Sequence, residues 1–411
     1  MSELNDLITR LCPNGVPYKK LDDLADIGTG SSNTQDQEPD GIYPFYVRSP
    51  EVKRSSSFEF DETAVITAGD GDVGKIFHFV EGKYALHQRA YRIKPTSSSL
   101  NAKFLYYYMK ANFRAYVERK ACSATVKSLR KPMFQNFEIP VPPLPVQEEI
   151  VRILDSFTEL EAELEAELAD RKEQYEYYRD HLLDKKNLEH MDGKPVEMRK
   201  LNEVFDSFNG MGGVSNKWAD DGNCQFIDYK NVYDNTKVDV SNTPYATVKK
   251  ISNQRVIKQG DILCTCASEV PNECALSAVV EDDIQDNIFL DDHLFGLRVK
   301  EEYADLIDTT FINYYFTIFN HRKNVFKAVR GVTRYYIDTK AFMKIPIPVP
   351  SLATQKRVVD ILDRFDTLTT SLTDGIPAEI AMRREQYEYY RSRLLDFPRL
   401  SDGSVSDGDG E

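Results

Sequence analysis

Three stretches of this sequence carry residue types that could do chemistry, and each lacks a part its chemistry needs. Gly69-Asp70-Gly71-Asp72-Val73-Gly74-Lys75 has most of the glycines and the lysine of a phosphate-binding loop. Such a loop also needs a hydroxyl after the lysine to reach Mg2+, and Ile76 stands there. Asp70 and Asp72 would repel phosphate, and Ile76 to Val80 predicts a strand where a helix is required, so a hairpin turn is expected. Phe208-Asn209-Gly210-Met211-Gly212 fits the Phe-x-Gly-x-Gly turn of adenine methyltransferases. Those enzymes also hold the target base with an Asn/Asp-Pro-Pro-aromatic tetrapeptide, which occurs nowhere here, so a glycine turn between helix and loop is expected. Cys264, Cys266 and Cys274 have no Cys-x-x-Cys pair or nearby histidine to complete four zinc ligands, which predicts packed thiols. With no defensible nucleophile–base pair, the chain reads as non-catalytic, with no metal site or cofactor of its own.

Binding chemistry is better represented. Between 114 and 131, Arg114, Arg119, Lys120, Lys127, Arg130 and Lys131 stand against Glu118 alone. Between 321 and 344, Arg322, Lys323, Lys327, Arg330, Arg334, Lys340 and Lys344 stand against Asp338 alone. Clustered Arg and Lys beside hydroxyl side chains suit phosphate contacts and base-edge hydrogen bonds. Lys127, Arg130, Lys131, Arg330 and Arg334 are the strongest phosphate candidates, with Arg119, Lys120, Thr125, Lys327 and Thr333 beside them. The polar loop Ser31-Ser32-Asn33-Thr34-Gln35 and Tyr335 are candidates for base reading.

The elements that must position these residues occur twice. Ile139-Pro140-Val141-Pro142-Pro143-Leu144, Gln147 to Phe157 and Arg171 to Arg179 return as Ile347-Pro348-Val349-Pro350-Ser351-Leu352, Gln355 to Phe365 and Arg383 to Arg391. Each copy predicts a long helix behind a proline-rich lead-in. The apolar stripe of the first runs through Ile150, Ile153, Phe157, Leu160, Leu164, Leu168, Tyr175 and Tyr178; that of the second runs through Val358, Ile361, Phe365, Leu368, Leu372, Tyr387 and Tyr390. Neither stripe can be buried within its own helix, and the other copy is the expected partner. Asp374-Gly375-Ile376-Pro377 predicts a break in the second helix. In the first, Leu160-Glu-Ala-Glu and Leu164-Glu-Ala-Glu form a tetrapeptide repeat of strong helix formers.

The globular segments repeat as well. Leu201 to Asp206 echoes Leu21 to Asp26, and His293 to Lys300 echoes His87 to Lys94, which would place Arg298 with Arg92. Phe311 to Phe319 echoes the aromatic helix predicted over 102–118, with Tyr314-Tyr315 against Tyr106-Tyr107. The middles, Asp36 to Lys83 and Val214 to Val280, show no correspondence. The organisation expected is a globular domain over 1–145, a central long helix over 146–187, a second domain over 188–350, a C-terminal long helix over 351–398 broken near 374–377, and a disordered acidic tail over 399–411.

Bulk properties fit this plan. The net charge of −14 argues at first against a polyanion partner, but residues 147–186 alone are net −7, whereas residues 1–146 are net +2. The acid lies mostly on the helices and tail, where charge runs are ordinary solvated faces. Six cysteines without framework spacing suit a reducing cytoplasm. No apolar run is long enough for a membrane span and residues 1–20 show no signal-peptide core, so a cytoplasmic protein is expected.

The doubled pattern resembles the specificity (S) subunit of type I restriction–modification systems. The resemblance rests on Ala124-Thr125-Val126-Lys127 through Phe134, the Ile-Pro-Val-Pro-Pro-Leu-Pro-Val-Gln lead-in, the long helix with Arg-x-x-Tyr, and their second copies, including Gly331-Val332-Thr333-Arg334 and Phe342 to Gln355. It covers essentially residues 1–398. It implies an α+β fold in which two target recognition domains are joined by two long helices, paired as an antiparallel coiled coil with a pseudo-twofold repeat. Each domain would read half of a bipartite site on double-stranded DNA. The helices would set the gap and hold two methyltransferase (modification) subunits, joined by restriction–translocase subunits; S-adenosylmethionine, ATP and Mg2+ would belong to those partners. The alternative from the residues alone is a cytoplasmic coiled-coil scaffold whose two globular ends bind proteins.

Overall fold

The computed structural model describes residues 2–120, 128–219, 221–241, 243–284, 288–371 and 373–400. It consists of two α/β domains linked by long helices, with an internal repeat. By compactness the chain divides into one unit of residues 1–165 with 379–411 and a second of residues 166–378.

In the first unit, six strands lie in the order Ala25–Thr29, Ala90–Pro95, Phe60–Ala68, Phe77–Leu86, Tyr43–Tyr46, Lys53–Ser55. All neighbours are antiparallel except Tyr43–Tyr46 against Phe77–Leu86, which run parallel with Phe45 opposite Ala85 and Tyr46 opposite Leu86. Residues 64–68 are buried throughout because both faces of the sheet are covered. Val65, with Phe77 and Ile93, faces a core built on Phe104, Met109 and Phe113 of the helix Ala102–Lys120. Ala64 and Ile66 face the opposite way, against Tyr46, Val80, Tyr84 and Leu86. The turn after Phe60–Ala68 is the hairpin expected of the Gly69–Lys75 loop.

Residues 16–18 also meet residues 397–400 in this unit. Val16 N–H donates to Pro398 O at 2.9 Å, Leu400 N–H to Val16 O at 2.9 Å, and Tyr18 Oη to Phe397 O at 2.9 Å. The ribbon Tyr18–Lys20 pairs with Glu138–Pro140, carrying the proline lead-in straight into the helix Leu144–Leu182.

Beside a three-stranded sheet and a two-stranded ribbon, the second unit has two four-stranded sheets. One has the order Phe205–Asn209, Leu294–Val299, Ile262–Thr265, Ser277–Val279; the other Val214–Lys217, Tyr245–Val248, Cys224–Ile227, Ile288–Leu290. Both sheets follow the first unit's plan, with the long strand Phe77–Leu86 replaced by two short ones. Phe226 and Ile227 run parallel to Phe289 and Leu290, as Phe45 and Tyr46 do to Ala85 and Leu86. Gly41 and Gly222 hold the same place, four positions before Phe45 and Phe226. A Cβ on Gly41 would come within 2.3 Å of the Ser55 backbone, and one on Gly222 within 2.7 Å of the Ala246 backbone. The middles that show no correspondence in sequence therefore share part of their strand plan, to which the second adds the edge strand Val214–Lys217.

Two sequence correspondences are corrected. Ala25 pairs with Pro95 and Phe205 with Val299, so Arg298 stands where Lys94 does, and His293 where Arg89 does. The partners agree: Arg92 pairs with Asp26 and Glu62, whereas Arg298 grips both oxygens of Asp261. The aromatic helix is interrupted at Ile318, between Thr309–Thr317 and Phe319–Lys327, which shifts its register by one. Tyr107 donates to Asp155 at 2.6 Å and Tyr314 to Asp363 at 2.6 Å, so Tyr314 matches Tyr107. The Phe208–Gly212 turn follows a strand, not a helix.

The long helices pack antiparallel within each unit. In the first unit Phe157 stacks on Tyr390 (centroids 5.6 Å) and meets Tyr387 edge-on, while Arg384 pairs with Glu161 and Glu165 at 2.6 Å each. In the second, Phe365 stacks on Tyr178 (5.8 Å) and meets Tyr175. The same aromatic contact is thus made twice with the helices exchanging roles. Ile150 and Ile153 pack into the first unit's core and Val358 into the second's, so each stripe begins by sealing its own domain. Leu164 is buried, Leu160, Leu168 and Ile361 are half-buried, and Leu368 is exposed; Leu372 lies outside the described residues. The second helix is two segments, Leu352–Thr370 and Ile376–Leu394.

Candidate nucleic-acid interface

In the first unit the loop at Ser31 to Gln35 is tied to the strand end beside it. Ser32 N–H donates to Leu86 O at 3.2 Å, Gln88 N–H to Ser32 O at 2.8 Å, and Gln88 Nε2 to Asn33 Oδ1 at 2.5 Å. Asn33 N–H bonds Asp36, which starts a short 3-10 turn at Thr34. Ser31, Asn33, Thr34 and Gln35 are exposed and Ser32 is half-buried. Next to this loop, Asp70 accepts from Arg48 at 2.9 Å and from Arg89 at 3.0 Å. Burial alone would raise the Asp70 carboxyl; the bonds from the two arginines outweigh it and hold the group below its usual range. His87 is buried, its Nδ1 accepts the Arg89 N–H at 3.0 Å, and burial holds its pKa below the ordinary value.

Asp70 also bridges to Ser128 in the strand sense, and Leu129 N–H donates to Gly69 O at 2.6 Å. Arg130 and Lys131 follow, exposed, at the start of the helix Lys131–Gln135. Thr125 and Lys127 lie outside the described residues. Arg119 and Lys120 are elsewhere: with Tyr18, Tyr116, Asn136 and Arg399 they line a separate cleft of about 750 Å3 that none of the loop 31–35 reaches.

The second unit presents the same backbone positions with other side chains. Ile337 N–H donates to Cys266 O at 2.9 Å, the counterpart of Leu129 to Gly69, and Cys266 N–H to His293 O at 2.9 Å, the counterpart of Gly69 N–H to Arg89 O at 2.8 Å. Here the equivalent of Ser128 lies in a hairpin, Val329–Gly331 with Tyr335–Ile337, whose second strand pairs with Ala267–Ser268. Thr333 and Arg334 are exposed at its tip, with the Arg334 guanidinium 5.9 Å from the Tyr336 ring, and Tyr335 is half-buried. Arg330 turns back to donate to Lys327 O and Val329 O, and Lys327 bonds Asn324.

Where the first unit has its loop 31–35, the second has Gly210–Gly213, lining a cleft of about 710 Å3 with Lys249, Lys250, Gln254 and Arg255. Beside it Lys217 donates to both oxygens of Asp291 at 3.1 Å and to Asp292. Burial opposes the Lys217 charge, but the bonds it donates to Asp292 and Asp291 outweigh this and raise its pKa. Asp291, Asp292 and His293 are close enough to share a metal ion, yet the Lys217 ammonium already occupies that cluster. The three clustered cysteines are free thiols that burial makes harder to ionise, Cys266 being pushed up to about 12.

Sequence reasoning missed Arg48, Arg89, Lys217, Lys249, Lys250 and Arg255. The adjacent Lys249-Lys250 was a visible signal. Arg48, Arg89 and Lys217 had none, because each reaches the surface at a strand end far in sequence from its partners.

A model of the type I restriction modification DNA specificity domain matches residues 13–171 and again 193–382. The chain belongs to that family. It is the DNA-specificity subunit of a type I restriction–modification system, a non-catalytic component. The specificity subunit of the Escherichia coli type I enzyme EcoR124I/EcoR124II is 34% identical over 62% of this chain, an alignment that spans 60% of that protein. A putative specificity subunit from Haemophilus influenzae is 29% identical over 93% of this chain and 96% of its own length. Among solved structures, a chain from work on assembly and conformational transition of a type I system superposes with TM-score 0.58, and the HsdS subunit of Thermoanaerobacter tengcongensis with 0.50. They cover 93% and 94% of this chain, and 98% and 96% of theirs, at 15% and 16% identity, so this likeness is one of fold. At family level a specificity subunit binds DNA and associates with methyltransferase and restriction components. No helix among the described residues is long and apolar enough to cross a membrane.

Proposed function

We propose that the two recognition domains, residues 1–145 and 188–350, each read one half of a bipartite site on double-stranded DNA. The observation that carries this reading is the pair of faces built on one backbone plan but furnished differently: Arg48, Asp70 and Arg89 in one, Tyr229, Ala267 and His293 in the other. A scaffold that reads two unlike half-sites needs that combination of constant backbone and variable side chains. The exposed cations Arg130, Lys131 and Arg334, with Lys249, Lys250 and Arg255, serve phosphate contacts, whereas the loop 31–35 and Tyr335 serve base edges.

The long helices hold two modification subunits, and restriction–translocase subunits join through them. S-adenosylmethionine, ATP and Mg2+ act in those partners. The subunit works in the cytoplasm, where its DNA is.

Co-expression with the modification subunit, followed by mapping of modified adenines, tests the reading. The expected result is one bipartite motif with an unread gap, and duplex affinity that falls steeply with salt. Modification without a motif would refute it.

A further inference from the structure

If the first unit reads bases, it needs side chains that tell one base from another, and one constellation there has the chemistry. Arg48 follows the strand Tyr43–Tyr46, Asp70 follows Phe60–Ala68, and Arg89 precedes Ala90–Pro95. Three segments far apart in sequence thus deliver two guanidiniums to one carboxylate, one to each oxygen. The Asp70 side chain is only 16% exposed, while those of Arg48 and Arg89 are 43% and 65% exposed. The carboxylate is the buttress and the guanidiniums are the presented surface.

The backbone is shaped to make this contact. A Cβ on Gly69 would lie 2.6 Å from Arg89 O and 3.0 Å from the Tyr91 ring, so in this unit the chain beside Asp70 comes closer to Arg89 than a side chain at 69 would allow. Stability is a poor explanation, since exposed ion pairs contribute about 0–1 kcal/mol. Each guanidinium has five N–H donors and spends one on Asp70, keeping donors for a planar pair of acceptors. Guanine O6 and N7 in the major groove are such a pair.

The second unit supports the same conclusion. At the position of Arg48 it carries Tyr229, whose hydroxyl donates at 2.9 Å to the carbonyl of Ala267, the residue at the position of Asp70. The contact between these two strand ends is kept while its chemistry is changed, as a specificity-determining position requires.

We propose that Arg48 and Arg89 are the guanine-reading residues of the first unit, with Asp70 as the residue that positions them. This rests on the two-half-site reading above. The test uses the complex with the modification subunit, its mapped site, and duplexes in which each guanine in turn is replaced by 7-deazaguanine, which lacks the N7 acceptor. One guanine in one half-site should weaken wild-type binding about tenfold when replaced. The same replacement should cost the Arg89→Gln or Arg48→Gln complex nothing further, and both variants should keep full discrimination in the other half-site. Asp70→Asn should lose part of the discrimination and Asp70→Glu should regain it, at unchanged thermal stability. Variants that keep wild-type preference at every guanine, or that weaken all duplexes equally, would overturn the assignment while leaving the two-half-site reading standing. A wild-type complex with no sequence preference would overturn both.

Discussion

Gln147 and Gln355, 208 positions apart, make the same three hydrogen bonds. Gln147 Oε1 accepts from Asn101 N–H at 2.8 Å, and its Nε2 donates to Ser99 O at 2.8 Å and Pro142 O at 2.7 Å. Gln355 accepts from Asp308 N–H and donates to Leu306 O and Pro350 O, all at 2.8 Å. Both are fully buried. Each glutamine locks the first turn of a long helix to the loop before its domain's aromatic helix, which fixes the angle at which helix and domain meet. Replacing Gln147 by alanine leaves one N–H and two carbonyls without partners, which should cost about 1–3 kcal/mol. Urea denaturation of the purified chain would measure it, and Gln355→Ala should cost about the same.

His321 provides a prediction about pH. It is 1% exposed, neither ring nitrogen has a hydrogen-bond partner, and it stacks on Phe316 at 4.8 Å. Burial, aided by Arg322, pushes its pKa down to about 3. The unfolded chain takes up a proton near pH 6.5 while the folded chain does not, so stability is complete above that pH. It falls by about 1.4 kcal/mol per unit as pH drops toward 3. In the first unit the position 208 residues earlier is Phe113, stacked on Phe134 at 4.9 Å. His321→Phe should therefore fold, and should flatten thermal melting between pH 6.5 and 4.5.

Gly41 and Gly222 are where the two middles can be broken separately. Gly41→Ala forces its Cβ into the Ser55 backbone, at a cost of about 1–3 kcal/mol. Mapped modification should lose discrimination in one half-site only, and Gly222→Ala in the other. Exchange of Asp36–Lys83 for the corresponding stretch of a relative should change the same half-site as Gly41→Ala.

The tetrapeptide Leu164 to Glu167 lies inside the helix Leu144–Leu182. Its removal shortens the helix by about 6 Å and turns the C-terminal remainder of that helix by only about 40° beyond a full turn. With DNA rising about 3.4 Å per base pair, the unread gap should contract by one or two base pairs with both half-sites unchanged. Modification mapping of the deletion checks this, and an altered half-site would count against it.

The long helices and their repeat were legible because a stripe such as Ile150, Ile153 and Phe157 must recur at helical spacing and long identical runs leave little choice. The middles were illegible for the opposite reason. A strand pair such as Phe45 with Ala85 asks only for apolar side chains in alternation, and the loops between these strands differ in length and content. Register misled where it was judged by polar identity. Matching His293 to His87 follows the charged residues, but strand alignment is set by buried positions such as Ile93 and Leu297, and polar side chains can be redistributed over an unchanged backbone. The grouping of Arg48, Asp70 and Arg89 arises from three strand ends and leaves no trace in sequence spacing.

The hydrogen bonds that join Val16 to Pro398 and Leu400 impose an order on biosynthesis. A ribosome moving from first residue to last completes residues 166–378 as one uninterrupted piece, and that piece can fold when it emerges. The earlier-made unit must wait, its Phe157 without Tyr387 and Tyr390 and its Val16 without a strand partner, until the final helix is released. Messages cut short after residue 378 would therefore yield a polypeptide whose younger half is finished and whose older half is not.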